Sequence, residues 1–159
     1  MPVATHTPSA SFRHLVAGYL LDAEGKSVRL TDIVSTTRSP VVADVQNLLL
    51  AKARREGLAL GAGSLVGGDQ IIPLPPMPRP ASSDDRATRA WDVSAYIVVH
   101  DVKFAGYGKS RFQWPDQPTG ETLQAMLMVI VADTLVPIFL EPADNMRAEL
   151  HNVTVASSQ

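Results

Sequence analysis

Hydrophobic residues recur every three to four positions between Ser39 and Gly57, and this spacing predicts an amphipathic helix. Ser39 can cap the first turn, and Pro40 suits the first helical position, where its missing N–H is not needed. Basic residues follow in the last turn, and Gly57 can take the left-handed conformation that ends a helix. The apolar stripe comprises Val41, Val42, Val45, Leu48 and Leu49, with the Lys52 stem at its end. We therefore predict a core helix in which Leu49 is buried.

Alternating apolar and polar residues predict a strand from Trp91 to Phe104. The residues expected to face the core are Trp91, Val93, Ala95, Ile97 and Val99. The glycines around Tyr107 suggest a tight return, after which residues 111–114 could pair back. The apolar run that follows is interpreted as two strands, 123–131 and 134–141, with Pro137 at an edge because proline cannot donate to a ladder. The first of these strands is apolar on both faces and needs cover on both.

Two segments fit more than one structure. Residues 12–31 have helical spacing, but Gly18 weakens a helix interior and Asp22 to Gly25 suits a turn, so a hairpin is favoured. Residues 146–156 fit a strand or a short helix, and the strand is favoured. The predicted class is α+β: an antiparallel sheet, mainly from the C-terminal half, packed against one main helix at about 39–57. An N-terminal hairpin or helix and a long Pro/Gly-rich connection complete the prediction.

Length and composition indicate a single domain over 1–159, with a flexible arm at 1–10 and an extended loop at about 58–83 that contains only a short strand near Ile71 and Ile72. The chain has 14 basic and 16 acidic residues with little clustering, which argues against nucleic-acid binding. Cysteine is absent, so disulfides and thiolate chemistry are excluded. Neither a secretory signal nor a membrane span is predicted, and we expect a soluble protein in the cytoplasm or in an assembled particle. The sequence shows no internal repeat.

Candidate chemistry is sparse. The segment around Gly108 and Lys109 resembles a phosphate-binding loop, but Lys103 stands where that loop needs a glycine. His100, Glu149 and His151 could converge if their strands were neighbours, and imidazoles with a carboxylate suit zinc binding or proton transfer. The segment 73–80, PLPPMPRP, favours the extended polyproline conformation that peptide-binding grooves recognise.

The leading functional hypothesis is a non-enzymatic structural or assembly subunit of a larger complex, for example a phage particle or a secretion-type machine. No catalytic residue, metal or cofactor is predicted for it. Its partners would be proteins, including further copies of the chain, which would dock on the apolar run. The residues predicted for this interface are Met126, Met128, Ile130 and Pro137. The alternatives are a small metal-dependent or acid/base enzyme using His100, Glu149 and His151, and a binding module presenting segment 73–80.

Overall fold

A computed structural model describes residues 12–36, 41–80, 87–142 and 146–157, and within them it has six strands and two helices. The strands are β1 (Phe12–Asp22), β2 (Ser27–Thr36), β3 (Leu60–Leu74), β4 (Arg89–Val99), β5 (Phe104–Trp114) and β6 (Glu149–Ser157), and the helices are α1 (Val42–Arg55) and α2 (Gly120–Phe139). Both sheets are antiparallel, so the predicted α+β class is confirmed. The predicted arm at 1–10 lies outside the described residues.

The chain divides into two compact units, Met1–Leu74 and Pro75–Gln159, that share one topology. Each unit contains two strands, a helix and a third strand, in that order. In each, the first strand is central, with strand orders β2-β1-β3 and β5-β4-β6. The two hairpins also have connections of equal length, 23–26 and 100–103. The two units therefore repeat one arrangement of strands and helix, although their sequences show no repeat.

The N-terminal unit begins with the predicted hairpin. β1 pairs with β2 in continuous register, and Gly25 closes the turn at φ +82°. The predicted loop at 58–83 is wrong in its first half, because residues 60–74 form β3. β3 is an edge strand, where a proline and bulges are tolerated because only one side of the backbone is paired. Its pairing with β1 shifts register in three places, next to Gly67 among others.

Helix α1 has a capping interaction at each end. The Asp44 carboxylate accepts a hydrogen bond from the Val41 N–H, 3.0 Å away, which satisfies one free amide of the first turn. At the other end Gly57 has φ +72°, and the Leu58 N–H donates to the Ala53 carbonyl, as in a Schellman motif. The Gly57 prediction is confirmed. Ser39 and Pro40 lie outside the described residues, but the predicted start is wrong, because the helix begins at Val42 with Val41 as its N-cap. Val41 is 60% exposed and so does not belong to the buried stripe.

The helix α1 packs on the sheet of its own unit. Val45, Leu49 and Ala53 are buried against Val16 and Leu20 of β1, so the predicted burial of Leu49 is confirmed. The sheet beneath the main helix is thus the N-terminal one, not the C-terminal one that the sequence suggested. Gly18 makes this packing possible. A Cβ there would lie 2.9 Å from Leu49 Cδ1 and 2.7 Å from Asp69 Oδ1.

The central strand of the C-terminal unit has the predicted buried face. All five residues from Trp91 to Val99 that were expected to face the core are buried. The return of the chain lies earlier than predicted, at 100–103, where Lys103 takes φ +53°. Gly106 and Gly108 therefore belong to β5, not to a turn. The last strand, β6, confirms the strand interpretation of residues 146–156.

The apolar run forms one helix, α2, and the prediction of two strands is wrong. A continuous apolar run has no distinct period, so length has to decide, and 20 residues exceed an ordinary strand. Pro137 lies inside the helix, near its end. Helix α2 crosses β5 at Gly108, where a Cβ would meet Thr134 Oγ1 at 2.6 Å and Ile130 Cγ2 at 2.8 Å.

Candidate functional site

The structure brings together three polar residues that are far apart in the sequence. β6 pairs with β4, placing Glu149 opposite Val98, and His100 follows directly after β4. Glu149 Oε2 lies 3.2 Å from His100 Nε2 and 3.4 Å from His151 Nε2. All three side chains are exposed. We call these three residues the histidine cluster, and the convergence considered from the sequence does occur.

Both imidazoles stabilise the charged form of the same carboxylate. The hydrogen bond to His100, followed by the one to His151, holds the pKa of Glu149 below its ordinary value. The residues that the structure describes include no group of three or more His, Cys, Asp or Glu side chains able to hold a metal ion. The histidine cluster is therefore a hydrogen-bonded group on the surface, and the metal-binding version of the enzyme hypothesis gains no geometric support.

Next to the histidine cluster lies the sheet face that carries the polar residues of β4. Tyr96 stands opposite His151 on one side and Tyr107 on the other, and the two tyrosine rings meet edge to face at 4.9 Å. Further along, Arg111 Nε donates to Asp92 Oδ1 at 2.9 Å. Tyr107 is 68% exposed. Rows of partnered side chains thus cover this face, and the exposed pairs contribute little to stability individually.

The predicted interface residues separate into two groups once the segment is a helix. Met126 and Ile130 are buried in the core of the C-terminal unit with Val93 and Ile97. Pro137 is half-buried. Met128, in contrast, is 61% exposed. The strand interpretation placed Met126, Met128 and Ile130 on one face, but helical geometry turns Met128 away from the other two.

Helical spacing identifies a surface that the strand interpretation missed. Ile138 is 52% exposed, and Met128, half-buried Val131 and Ile138 follow one another at intervals of three and seven residues. Intervals of three, four and seven keep residues on one side of a helix. Gln124, four residues before Met128, extends the line and is exposed. We call Gln124, Met128, Val131 and Ile138 the outer stripe. It is interrupted, because Val131 packs against the core and Leu135, on the same side of the helix, is fully buried. A helical template applied to residues 120–139 would have found it.

Among the described residues, α2 is also the one helix that is long and apolar enough to cross a membrane. Length and composition are the basis of that statement, and a core helix meets the same criteria. A third of the most apolar part of α2 is buried within the protein. The absence of a membrane span stays a prediction.

The proline-rich segment 73–80 is divided between two environments. Pro73 and buried Leu74 belong to β3, where they pair with His14 and Arg13. Residues 75–80 form neither helix nor strand, and Met77 is 38% exposed. Only this second part could be presented to a groove, so the binding-module hypothesis stays a prediction with a shorter motif.

Comparison with known proteins gives no independent indication of function. No family model, no curated protein and no solved structure matches the chain.

Proposed function

We propose that this protein is a non-enzymatic assembly subunit that docks on other proteins through the outer stripe of α2. The observation that carries the proposal is the exposure of Met128 and Ile138 on the side of α2 that is turned away from Met126 and Ile130. The exposed side of a surface helix is ordinarily charged or polar. Here the stripe has no charged side chain, and Gln124 is its one polar member.

Burial of the outer stripe in a protein interface would be energetically favourable. Removing a Met or Ile side chain from water contributes about 1.5 to 3 kcal/mol when burial is complete. The flexible methionine side chain can adjust to the shape of a partner. The stiffer isoleucine side chain can hold the two surfaces in one arrangement. Exposed apolar side chains on a surface helix are a feature of protein interaction sites, and Met128 and Ile138 are two such side chains. A phage particle or a secretion machine would be an example of such an assembly.

The test is the size of the protein in extracts of cells that produce it naturally, measured on a sizing column with antibody detection. The assembly function predicts elution well ahead of a single 159-residue chain. Met128→Glu should shift the protein to the position of one chain, because a charge in a buried apolar interface is strongly unfavourable. Elution of the unaltered protein as a single chain, at every extract concentration, would refute the proposal.

The second candidate function is acid/base catalysis at the histidine cluster. The specific observation in its favour is the convergence of His100 and His151 on Glu149, since paired imidazoles and a carboxylate suit proton transfer near neutral pH. Hydrolysis of p-nitrophenyl acetate is a suitable probe, with free imidazole at twice the protein concentration as the reference. A catalytic cluster should exceed the reference and lose that excess in His151→Gln. A rate no greater than that of imidazole would count against catalysis.

A further inference from the structure

We propose that the open face of the C-terminal sheet binds a neutral oligosaccharide. The open face is the side of β4, β5 and β6 that carries Tyr96, opposite to the side that packs on α2. Every side chain that β5 and β6 contribute to this face is exposed. The proposal goes beyond the assembly function, because it concerns another surface and another class of ligand.

A row of three ring side chains crosses the middle of the open face. Tyr107 on β5, Tyr96 on β4 and His151 on β6 occupy opposite positions in the two strand pairs. Side chains at such positions have Cβ atoms about 4.5 to 5.5 Å apart, so the three rings are neighbours. The tyrosine rings meet edge to face at 4.9 Å, and Tyr107 remains 68% exposed. The row spans two strand spacings, about 10 Å, and offers ring surface to a ligand across that width.

Groups that donate and accept hydrogen bonds lie on both sides of the ring row. On one side Lys109, Ser94 and Thr154 form the next row, and the Ser94 and Thr154 hydroxyl oxygens are 2.5 Å apart. On the other side lies Glu149, hydrogen-bonded to the two imidazoles of the histidine cluster. A hydroxyl group has one donor and two acceptor positions, and a carboxylate has about four acceptor positions, so these pairings leave capacity unused. Sugar hydroxyl groups, which both donate and accept, match this mixture.

The balance of charge on the open face favours a neutral ligand. Among the described strand residues of this face, the charged ones are Lys109, Arg111, Asp92 and Glu149, two of each sign. Arg111 Nε already donates to Asp92 Oδ1 at 2.9 Å. Single-stranded nucleic acid also stacks on aromatic side chains, but it needs a positively charged surface along its phosphates. The open face does not supply such a surface, whereas a neutral sugar requires no net charge.

Tyrosine is a suitable side chain for stacking against a sugar. The face of an aromatic ring carries negative potential, and the C–H groups on one side of a pyranose ring present weakly positive hydrogens to it. The phenol hydroxyl adds a hydrogen-bonding group at the ring edge. The planes of Tyr96 and Tyr107 are inclined by 65°, so they form an angled surface and not a flat platform for successive bases. A chain of puckered sugar rings turns at each glycosidic bond and can follow this angle.

Binding to immobilised oligosaccharides tests the proposal directly. The full-length protein, fluorescently labelled at its N-terminal amine, is applied to an array of glucan, mannan, galactan and chitin oligosaccharides. The sugar that binds best is then titrated in solution by calorimetry. We expect saturable binding that added sodium chloride hardly alters, because a neutral ligand forms no ion pair for salt to screen. Failure to bind any neutral oligosaccharide on the array would overturn the proposal.

Variants of the open face locate the binding site. Tyr107→Ala should weaken binding about tenfold or more, because it removes the exposed ring, whereas Tyr107→Phe keeps the ring and should retain most of the affinity. Lys109→Ala, in the adjacent polar row, should weaken binding several-fold. The matched control is Tyr19→Ala, at an exposed tyrosine of β1, which should leave the affinity unchanged. Circular dichroism checks that each variant is folded. Unchanged affinity in both Tyr107→Ala and Lys109→Ala would overturn the assignment of the sugar to this face.

A labelled oligothymidylate separates a sugar ligand from single-stranded nucleic acid. We expect no binding of this probe at physiological salt, because the charges of the open face are balanced. Binding of the oligothymidylate that is lost in Tyr107→Ala, without binding of any neutral oligosaccharide, would assign the face to nucleic acid and overturn the proposal. The assembly function would stand in that case, because its own test concerns Met128 on α2.

Discussion

The two units are built on one topology but bury their central strands differently. In β1 the run from Arg13 to Ala17 is buried without interruption, so both faces of that strand are covered. In β4 burial alternates strictly, and one face remains accessible. The helices differ in the opposite sense: α1 has an apolar and a charged side, whereas α2 is apolar nearly all round. Topology therefore does not dictate which surface stays accessible. The distribution of apolar residues does.

The largest expected effect comes from the cores. Leu49→Ala in the N-terminal unit and Ile130→Ala in the C-terminal unit should each lower the free energy of unfolding by about 2 to 5 kcal/mol, because each removes a buried branched side chain. Urea unfolding followed by circular dichroism measures both. The sequence predicts a single domain, and in that case both variants shift the same transition. Two transitions, each sensitive to one variant, would show that the units unfold independently.

A smaller effect is expected where each helix crosses a glycine. Gly108→Ala should destabilise the protein by about 1 to 3 kcal/mol, since the new methyl group would overlap Thr134 and Ile130. Gly18→Ala should behave similarly against Leu49. The matched control is Gly106→Ala in the same strand as Gly108, where the nearest atom is 3.3 Å away and belongs to the Phe104 ring. Equal losses at 106 and 108 would contradict the close approach of α2 to β5.

The hairpin turns should respond in opposite directions. Gly25 and Lys103 both have positive φ, but only the glycine adopts it without steric cost. Gly25→Ala should therefore destabilise by about 1 kcal/mol, and Lys103→Gly should stabilise by a similar or smaller amount. Thermal unfolding of the two variants checks the signs. A destabilised Lys103→Gly would mean that the lysine side chain has a role other than covering the turn.

The histidine cluster should produce the smallest change, and it should depend on pH. Because the folded-state pKa of Glu149 is lowered, its stabilising contribution is fully present above the unfolded-state pKa of about 4.5 and is lost as the pH falls through the folded-state value. Glu149→Gln should remove this part of the acid dependence. Urea midpoints between pH 6 and pH 3, at low and high salt, provide the measurement, and salt should weaken the effect. An unchanged acid dependence in Glu149→Gln would show that the exposed pairs contribute nothing.

Local signals in the sequence were sufficient where the period was distinct. The α1 stripe, the Gly57 terminus, the turn at Gly25 and the alternating face of β4 were all predictable for this reason. Prediction failed where two periods fit equally well. Helix α2 has apolar residues at both strand and helix spacing, and β3 contains glycines and a proline that an edge strand tolerates.

The candidate site could be predicted only in part, because it depends on pairing between distant strands. His100, Glu149 and His151 were singled out by residue type, yet their meeting required β6 to lie beside β4, which no local pattern specifies. Met126, Met128 and Ile130 were predicted to share one interface face, but Met128 is exposed and the other two are buried. That error follows directly from assigning a period of 2 instead of 3.6.

The contiguity of each unit in the sequence has a consequence for biosynthesis. Every strand and helix of the first unit is complete by Leu74, before any residue of the second has been translated. At about 5 to 20 residues per second, the ribosome needs roughly 4 to 17 s to add residues 75–159, whereas a hairpin such as β1 and β2 closes within about 10 μs. The emerging chain thus has ample time to pair β1 with β2 and β3 while the C-terminal half is still being made. A nascent chain whose synthesis stops well beyond Leu74 would then already have its first sheet.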